Sequence, residues 1–323
     1  EVLSWNGSDY DWVASGGLSN NATGTNSFGV GPSTLNSETS GLTNTGFGTS
    51  VLDETTTGSD NNAFGYKALE KNTSGSRNIA FGSEALITNT SGNGNVALGY
   101  KTLEKNTTAS FNTGVGQQAL NKNTTGSNNV ASGYAALLFN TTGSFNTANG
   151  VSALYSNTTA NNCTATGYQA LKTNTTGGSN VASGYEALFS NTTGADNTAI
   201  GVYALSANTT LSGLTAIGRS ALSANTTGAK QTAVGWSALK FNTTGTQNTA
   251  TGYEALVSNT TASDNTATGF QSLTLATTGG NNTANGTIAL PNVSTGSGNS
   301  AFGRGTGLNV TTGHNNTLIG NGA

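Results

Sequence analysis

Cysteine and histidine each occur once in the 323 residues, at Cys163 and His314; proline occurs twice and methionine never. A single cysteine excludes an intrachain disulfide framework and any CxxC metal motif. A single histidine excludes a multi-histidine metal centre and leaves a histidine-based triad barely attainable. Charge is scarce too: Asp, Glu, Lys and Arg make up 8% of the chain, against about 25% in ordinary soluble proteins. The net charge of −3 gives neither nucleic acid nor an anionic membrane surface a reason to bind. No apolar run reaches the length of a membrane span, so no membrane insertion is expected, and no signal-peptide pattern opens the chain. The first residue is Glu1 rather than methionine, as expected of a fragment or a processed product.

What the chain does have is glycine, 46 residues of it, and much of it is periodic. Glycine recurs at every seventeenth residue from Gly31 to Gly320, through Gly65, Gly99, Gly150, Gly184 and Gly252, without insertion or deletion. Residues 184–200, "GYEALFSNTTGADNTAI", are one copy of the unit. A period this strict means a solenoid or array in which each unit is stable only against its neighbours. Seventeen residues make about 4.7 turns of a 3.6-residue helix, so an apolar helical face would drift from unit to unit. The recurrent Thr-Thr-Gly suits turns and breaks helices. The expected fold class is therefore all-β: a parallel β-solenoid or β-roll of 17-residue coils over residues 31–323, with residues 1–30 as a junction. In that junction Trp5, Tyr10 and Trp12 supply apolar weight for docking on the first coils or on an upstream domain. At about 4.8 Å per coil the stack would extend about 80 Å. It stops at "NTLIGNGA" without a cap, which leads us to expect further residues beyond 323.

Counting from the repeat glycine as zero, equivalent residues form columns. Position +4 is leucine from Leu35 onward, including Leu137, Leu154, Leu171, Leu188, Leu205, Leu222, Leu239 and Leu256. Alanine dominates +3 (Ala136, Ala153, Ala170) and −2 (Ala131, Ala148, Ala165). Large leucines facing small alanines suit the interior of a thin coil, each buried leucine contributing about 1.5–3 kcal/mol. Position +7 is asparagine at Asn72, Asn89, Asn106, Asn123, Asn140, Asn157, Asn174, Asn191, Asn208, Asn225, Asn242 and Asn259. Asparagine tolerates turn conformations, and stacked amides hydrogen-bond along an axis. The same Asn-Thr-Thr/Ser is formally an N-glycosylation sequon on a surface turn, so glycan attachment and a structural turn both remain open. Charges fall almost wholly at variable positions such as Lys67, Lys101, Lys105, Lys122, Arg77 and Lys230, which are expected to face water. Position −1 switches in blocks between apolar residues (Phe64, Phe81, Leu98, Val115; Ile200, Ile217, Val234) and polar ones (Ser132, Asn149; Thr251, Thr268). A strand face patterned in this way reads as an interface between chains.

"NTAIGVYAL" and "NTATGYEAL" resemble the "AIG..A" coil of trimeric autotransporter adhesin heads, which are left-handed parallel β-rolls packed as trimers; "NTTG" looks like an added turn. The array is more similar to repeat regions of phage and viral tail fibres, many of which end in a self-cleaving intramolecular chaperone. The opening "VLSWNGSDYDW" resembles the linker before such regions. This resemblance spans residues 31–323. It implies a two-sided roll, a homotrimer, and a structural or adhesive fibre shaft that mediates host attachment at a virion surface, with a host glycan or protein as receptor. The alternative is a bacterial or archaeal cell-surface adhesin or extracellular filament, glycosylated on the asparagine column or bare.

The aromatics at +1, Tyr66, Tyr100, Tyr134, Tyr168, Tyr185, Trp236 and Tyr253, with Phe270 in the same column, can stack on sugar rings or on one another. Threonines at +8, +9 and −3 form hydroxyl arrays of the kind an ice-binding face would use, interrupted by neighbouring Lys and Phe. Calcium-binding β-helix repeats need a periodic Asp, and here Asp9, Asp11, Asp53, Asp60, Asp196 and Asp264 have no period. Glu186 and Glu254 sit at +2, where other coils carry Lys or Gln, as solvated positions do. Cys163 replaces an asparagine at +13 and looks incidental, and the glycine-rich segments lack the GK[ST] of a phosphate loop. No catalytic constellation, cofactor or metal is expected, and the chain reads as a non-enzyme.

Overall fold

A computed structural model of the chain describes residues 26–322, together with the backbone of 2–5, 10–13 and 18–19. It forms two compact units, Glu1–Thr159 and Ala160–Ala323. Both are all-β, and no helix occurs among the described residues. In the first unit β1 (Val2–Trp5) pairs antiparallel with β2 (Tyr10–Val13), and β3 (Leu18–Ser19) pairs antiparallel with β4 (Phe28–Val30). From β4 the ladder is parallel through β5 (Thr45–Phe47), β6 (Asn62–Phe64), β7 (Ile79–Phe81), β8 (Val96–Leu98), β9 (Thr113–Val115), β10 (Val130–Ser132) and β11 (Thr147–Asn149). Each residue pairs with its equivalent one repeat further on, as in Ala63↔Ala80. The second unit repeats this from β12 (Thr164–Thr166) and β13 (Val181–Ser183) to β21 (Thr317–Ile319), with Ala199↔Ala216 in the same register. Both units are parallel β-solenoids. The expected docking of Trp5, Tyr10 and Trp12 concerns side chains outside the described residues.

Each coil carries one strand of three residues, positions −3 to −1, instead of the strands on two sides that the adhesin resemblance implies. The remainder is turn. In the coil of Gly65, three successive i→i+3 bonds link Ala68 N to Gly65 O, Glu70 N to Lys67 O, and Asn72 N to Leu69 O. The third residues of the first two turns, Lys67 and Leu69, have φ of +57° and +51°, the sign a type II turn requires at that place. The alternate amides bond outward to other coils: Lys67 N to Thr49 O, and Leu69 N to Ala85 O. Positions +2, +4 and +12 have positive φ in coil after coil, whatever residue stands there: Glu84, Tyr203 and Ile288 at +2, Leu at +4, and Arg77, Phe145 and Lys230 at +12. Left-handed non-glycine residues cost on the order of 1–2 kcal/mol each. The coil tolerates them because most turn amides are tied to an acceptor above, below or within the turn. The repeat glycine is different. Gly184 has φ +139°, and an added Cβ would lie 2.6 Å from the Gly201 carbonyl carbon, so both backbone and neighbour exclude a side chain.

In each unit the interior is a file of fully buried leucines and alanines. The +4 leucines from Leu137 to Leu256 are all inaccessible, as are the alanines at −2 and nearly all those at +3. Departures from consensus conserve volume. Where −2 shrinks to Gly46 or Gly114, the facing +3 residue grows to Thr34, Val51 or Thr102, whose methyls occupy the space of the missing Cβ. Where +4 shrinks to Gly307, Leu318 moves into the gap from −2. Interiors at crystal-like density demand this compensation. Gly114→Ala alone should therefore overpack the coil, its Cβ built 2.6 Å from the Thr102 methyl, and destabilise by about 1–3 kcal/mol. The double variant Thr102→Ala/Gly114→Ala restores the consensus pair and should recover most of that loss. A double-mutant cycle by denaturant unfolding checks both.

Candidate functional site: the outer faces of the coil

The surface available for binding is decided by which side chains the stack consumes. The +7 asparagines are among the consumed. All twelve, Asn72, Asn89, Asn106, Asn123, Asn140, Asn157, Asn174, Asn191, Asn208, Asn225, Asn242 and Asn259, are 0% exposed. Asn191 Nδ2 donates to Asn174 Oδ1 at 2.7 Å and to the Gly194 carbonyl at 2.9 Å, and Asn191 Oδ1 accepts from Asn208 Nδ2 at 3.0 Å. This corrects the reading of a sequon on a surface turn: the amide that would carry a glycan points into the coil and holds its neighbours, and a sugar there cannot coexist with the fold. A second buried asparagine column stands at +13. Asn180 Nδ2 donates to the same Gly194 carbonyl at 2.7 Å, while its Oδ1 accepts the Asn197 amide at 2.9 Å. Cys163 occupies a +13 place and is not incidental. Its Sγ lies 3.3 Å from the Gly177 carbonyl, in the position of the asparagine donor, and burial pushes the thiol pKa up.

Threonine hydroxyls are consumed as well. At +8, Thr107, Thr124 and Thr141 donate to the carbonyls of Thr124, Thr141 and Thr158 at 2.9–3.2 Å. With Oγ1 committed, their methyls line a shallow groove of about 640 Å³ in the first unit, beside Lys105, Lys122 and Phe139. At +11, side-chain oxygens accept backbone amides from the coil before, as Ser76 Oγ does from Ser59 N. The lone His314 plays this part through Nδ1 for Ser297 N at 3.0 Å.

Two faces remain outward. One is the aromatic edge at +1, whose rings are between 39% (Trp236) and 50% (Tyr66, Tyr134) exposed. Tyr168 and Tyr185 stack at 5.1 Å and 16°; Trp236, Tyr253 and Phe270 stack at 4.7 and 5.2 Å. Stacked columns turn ring edges to solvent, so the faces that a sugar would cover are mostly covered by neighbouring rings. Tyr66 and Tyr100 instead carry Lys67 and Lys101 ammonium groups 5.6 and 5.4 Å from their centroids, and among the described residues Tyr134 has neither ring nor cation against it. The lysines are engaged, Lys67 with Glu70 at 2.8 Å and Lys101 with Glu84 at 3.4 Å. Glu104 is buried more deeply than its variable position suggested. Burial raises its pKa, but hydrogen bonds from Lys105 and Asn121 and the charges of Lys105 and Lys101 outweigh this and leave it lowered.

The other outward face is that of the strands, where −3 and −1 flank the buried alanine and no described residue is charged. In the first unit it is markedly apolar. Phe47, Phe64 and Phe81 form a stack at 4.7 and 4.5 Å, with Phe28 tilted at its end. Phe81, Leu98 and Val115 remain 41%, 37% and 38% exposed. Among the described residues there is no cluster of three or more His, Cys, Asp or Glu to hold a metal, and no helix long and apolar enough to cross a membrane.

Two measurements check these assignments. Asn191→Ala strands the Asn174 carbonyl and one Asn208 donor inside the coil and should cost about 2–4 kcal/mol. By contrast Thr193→Ala, which also abolishes that sequon, should shift stability by less than about 0.5 kcal/mol; intact mass from a glycosylating host should be that of the bare chain. Separately, the Tyr185 hydroxyl donates to the Glu186 carboxylate, and with burial and the nearby charge its pKa is pushed up to about 12. The folded state thus holds this proton more tightly than the unfolded chain, whose tyrosines titrate near about 10. Its contribution to stability is complete below about pH 10 and lost as the pH rises to about 12. Ultraviolet titration should show a tyrosine ionising at about 12, and Glu186→Gln should lower its pKa. The chain matches no protein-family model and no curated protein.

Proposed function

We propose that the chain is the shaft of a homotrimeric extracellular fibre, a tail fibre of a phage or other virus, that holds a receptor-binding end away from the particle. The work is mechanical. The observation that carries this reading is the division of labour between inside and outside. The coils spend their +7 and +13 asparagines, +8 threonine hydroxyls and +4 leucines on one another and leave an uncharged strand face on which Phe, Leu, Val and Ile are exposed in blocks. Contiguous apolar surface of that kind marks an interaction site, and closed cyclic symmetry lets one face serve all copies. A trimer would bury the −1 column at its axis.

A cell-surface adhesin head is the second reading, supported by the same resemblance to trimeric adhesins. Its contact would be the unstacked rings of Tyr66, Tyr100 and Tyr134, laid against a host glycan, and the asparagine columns would be bare. In either case the fibre is catalytically inert.

Light scattering of the purified chain should give three times the 32.2 kDa chain mass. Phe64→Asp/Phe81→Asp places two carboxylates on the exposed face without touching the interior. It should yield folded monomers with unchanged circular dichroism. A wild-type monomer overturns the proposal.

A further inference from the structure

A repeat this regular creates a problem for self-assembly. Two copies slid by one coil present the same backbone to each other, so backbone geometry alone leaves the alignment degenerate, and flat uniform strands are prone to slip. The strand face contains what removes the degeneracy. In the second unit the −1 column reads Thr166 and Ser183, then Ile200, Ile217 and Val234, then Thr251, Thr268 and Asn285, then Phe302 and Ile319. The interior columns beneath show no such blocks: −2 is alanine in all but the last of these strands, and +4 is leucine through Leu290. The blocks are therefore not imposed by packing within the chain, and they appear on a face that the chain leaves open.

We infer that this aperiodic pattern is an alignment code, and that its partner is a second copy of the same chain lying parallel with no stagger. The inference rests on the self-association proposed above. With zero stagger, every apolar residue of the column meets an apolar residue and every polar one a polar one. A slip of one coil sets apolar against polar at each block edge, Ser183 against Ile200, Val234 against Thr251 and Asn285 against Phe302. A slip of three coils sets Ile200, Ile217 and Val234 wholly against Thr251, Thr268 and Asn285. Antiparallel overlap is worse still: reversing the column places Ile319, Phe302, Ile200, Ile217 and Val234 against Thr166, Ser183, Asn285, Thr268 and Thr251, with no match left. The first unit carries its own mark, a run from Val30 through Phe47, Phe64, Phe81 and Leu98 to Val115 that ends at Ser132 and Asn149. Because the face carries no charge, the discrimination comes from stranding apolar surface and unpaired hydroxyls in wrong alignments, which is specificity by penalty on the competitor.

The test uses single-cysteine variants of the full chain at two neighbouring polar positions, Thr251→Cys and Thr268→Cys. The native Cys163 is fully buried, and the unsubstituted chain reports any background from it. The two variants are mixed, unfolded together, refolded, sized by light scattering and then oxidised, and the disulfides are read by peptide mass spectrometry. Disulfide formation needs Cα atoms within about 7 Å, which favours same-site partners over partners one coil removed. The expected result is that 251–251 and 268–268 bonds exceed 251–268 bonds by about tenfold. Assembled chains with mixed and same-site bonds in equal amounts, or with no bond between copies at either site, overturn the alignment code and leave the fibre reading standing. Failure to assemble at all removes both.

Discussion

Everything in this structure depends on hydrogen bonding between a residue and its counterparts in the adjacent coils. Most strand and turn amides, and most asparagine side chains and threonine hydroxyls of the ladders, find a partner about seventeen residues away. The carbonyl at +10 shows the economy: Gly194 O receives one asparagine from its own coil and another from the coil before. Without the neighbouring coils the turns would hold several residues in left-handed conformations with nothing to offset the strain, and buried amides would have no partners. Burial of a single leucine, worth about 1.5–3 kcal/mol, does not balance the ordering of seventeen residues at about 1–2 kcal/mol each. The stack is stable only as a stack.

The same bonding shapes the outside. A threonine whose hydroxyl is committed along the column shows its methyl to solvent, which makes the groove beside Lys105 and Lys122 apolar although its floor is threonine. Rings that stack at the coil spacing offer edges rather than faces. The strand face has no bonding duty toward the interior, and there the sequence varies in blocks and not in every coil. Constraint within the chain and freedom on its surface are read from the same columns, and the fibre reading rests on that contrast.

Much of this was legible in the residues. The strict spacing of Gly31 to Gly320 gave the coil, and leucine at +4 with alanine at −2 gave its interior, because only stacked equivalents explain columns of one residue type. The asparagine column was recognised as a ladder but placed on the wrong side of the surface. Asn-Thr-Thr has the same letters whether the amide faces water or a carbonyl in the next coil, and only coordinates separate the two. Cys163 at an asparagine position looked incidental for the same reason, since its donor role depends on the Gly177 carbonyl being 3.3 Å away. The asparagine column at +13 was legible too, as the place that Cys163 fills, but its burial and its bonds to two coils were not.

The sequence by itself determined the period, the register of equivalent residues, the interior columns and the absence of chemistry that needs histidine or paired cysteines, because each follows from residue type at fixed spacing. Tertiary structure alone decided that one three-residue strand per coil suffices and that Leu69, Lys67 and Arg77 sit in left-handed conformations. Left-handed φ at a leucine or lysine has no local cause. It arises because amides along the turn must reach carbonyls in the coils above and below, a demand that does not exist until the coils are stacked.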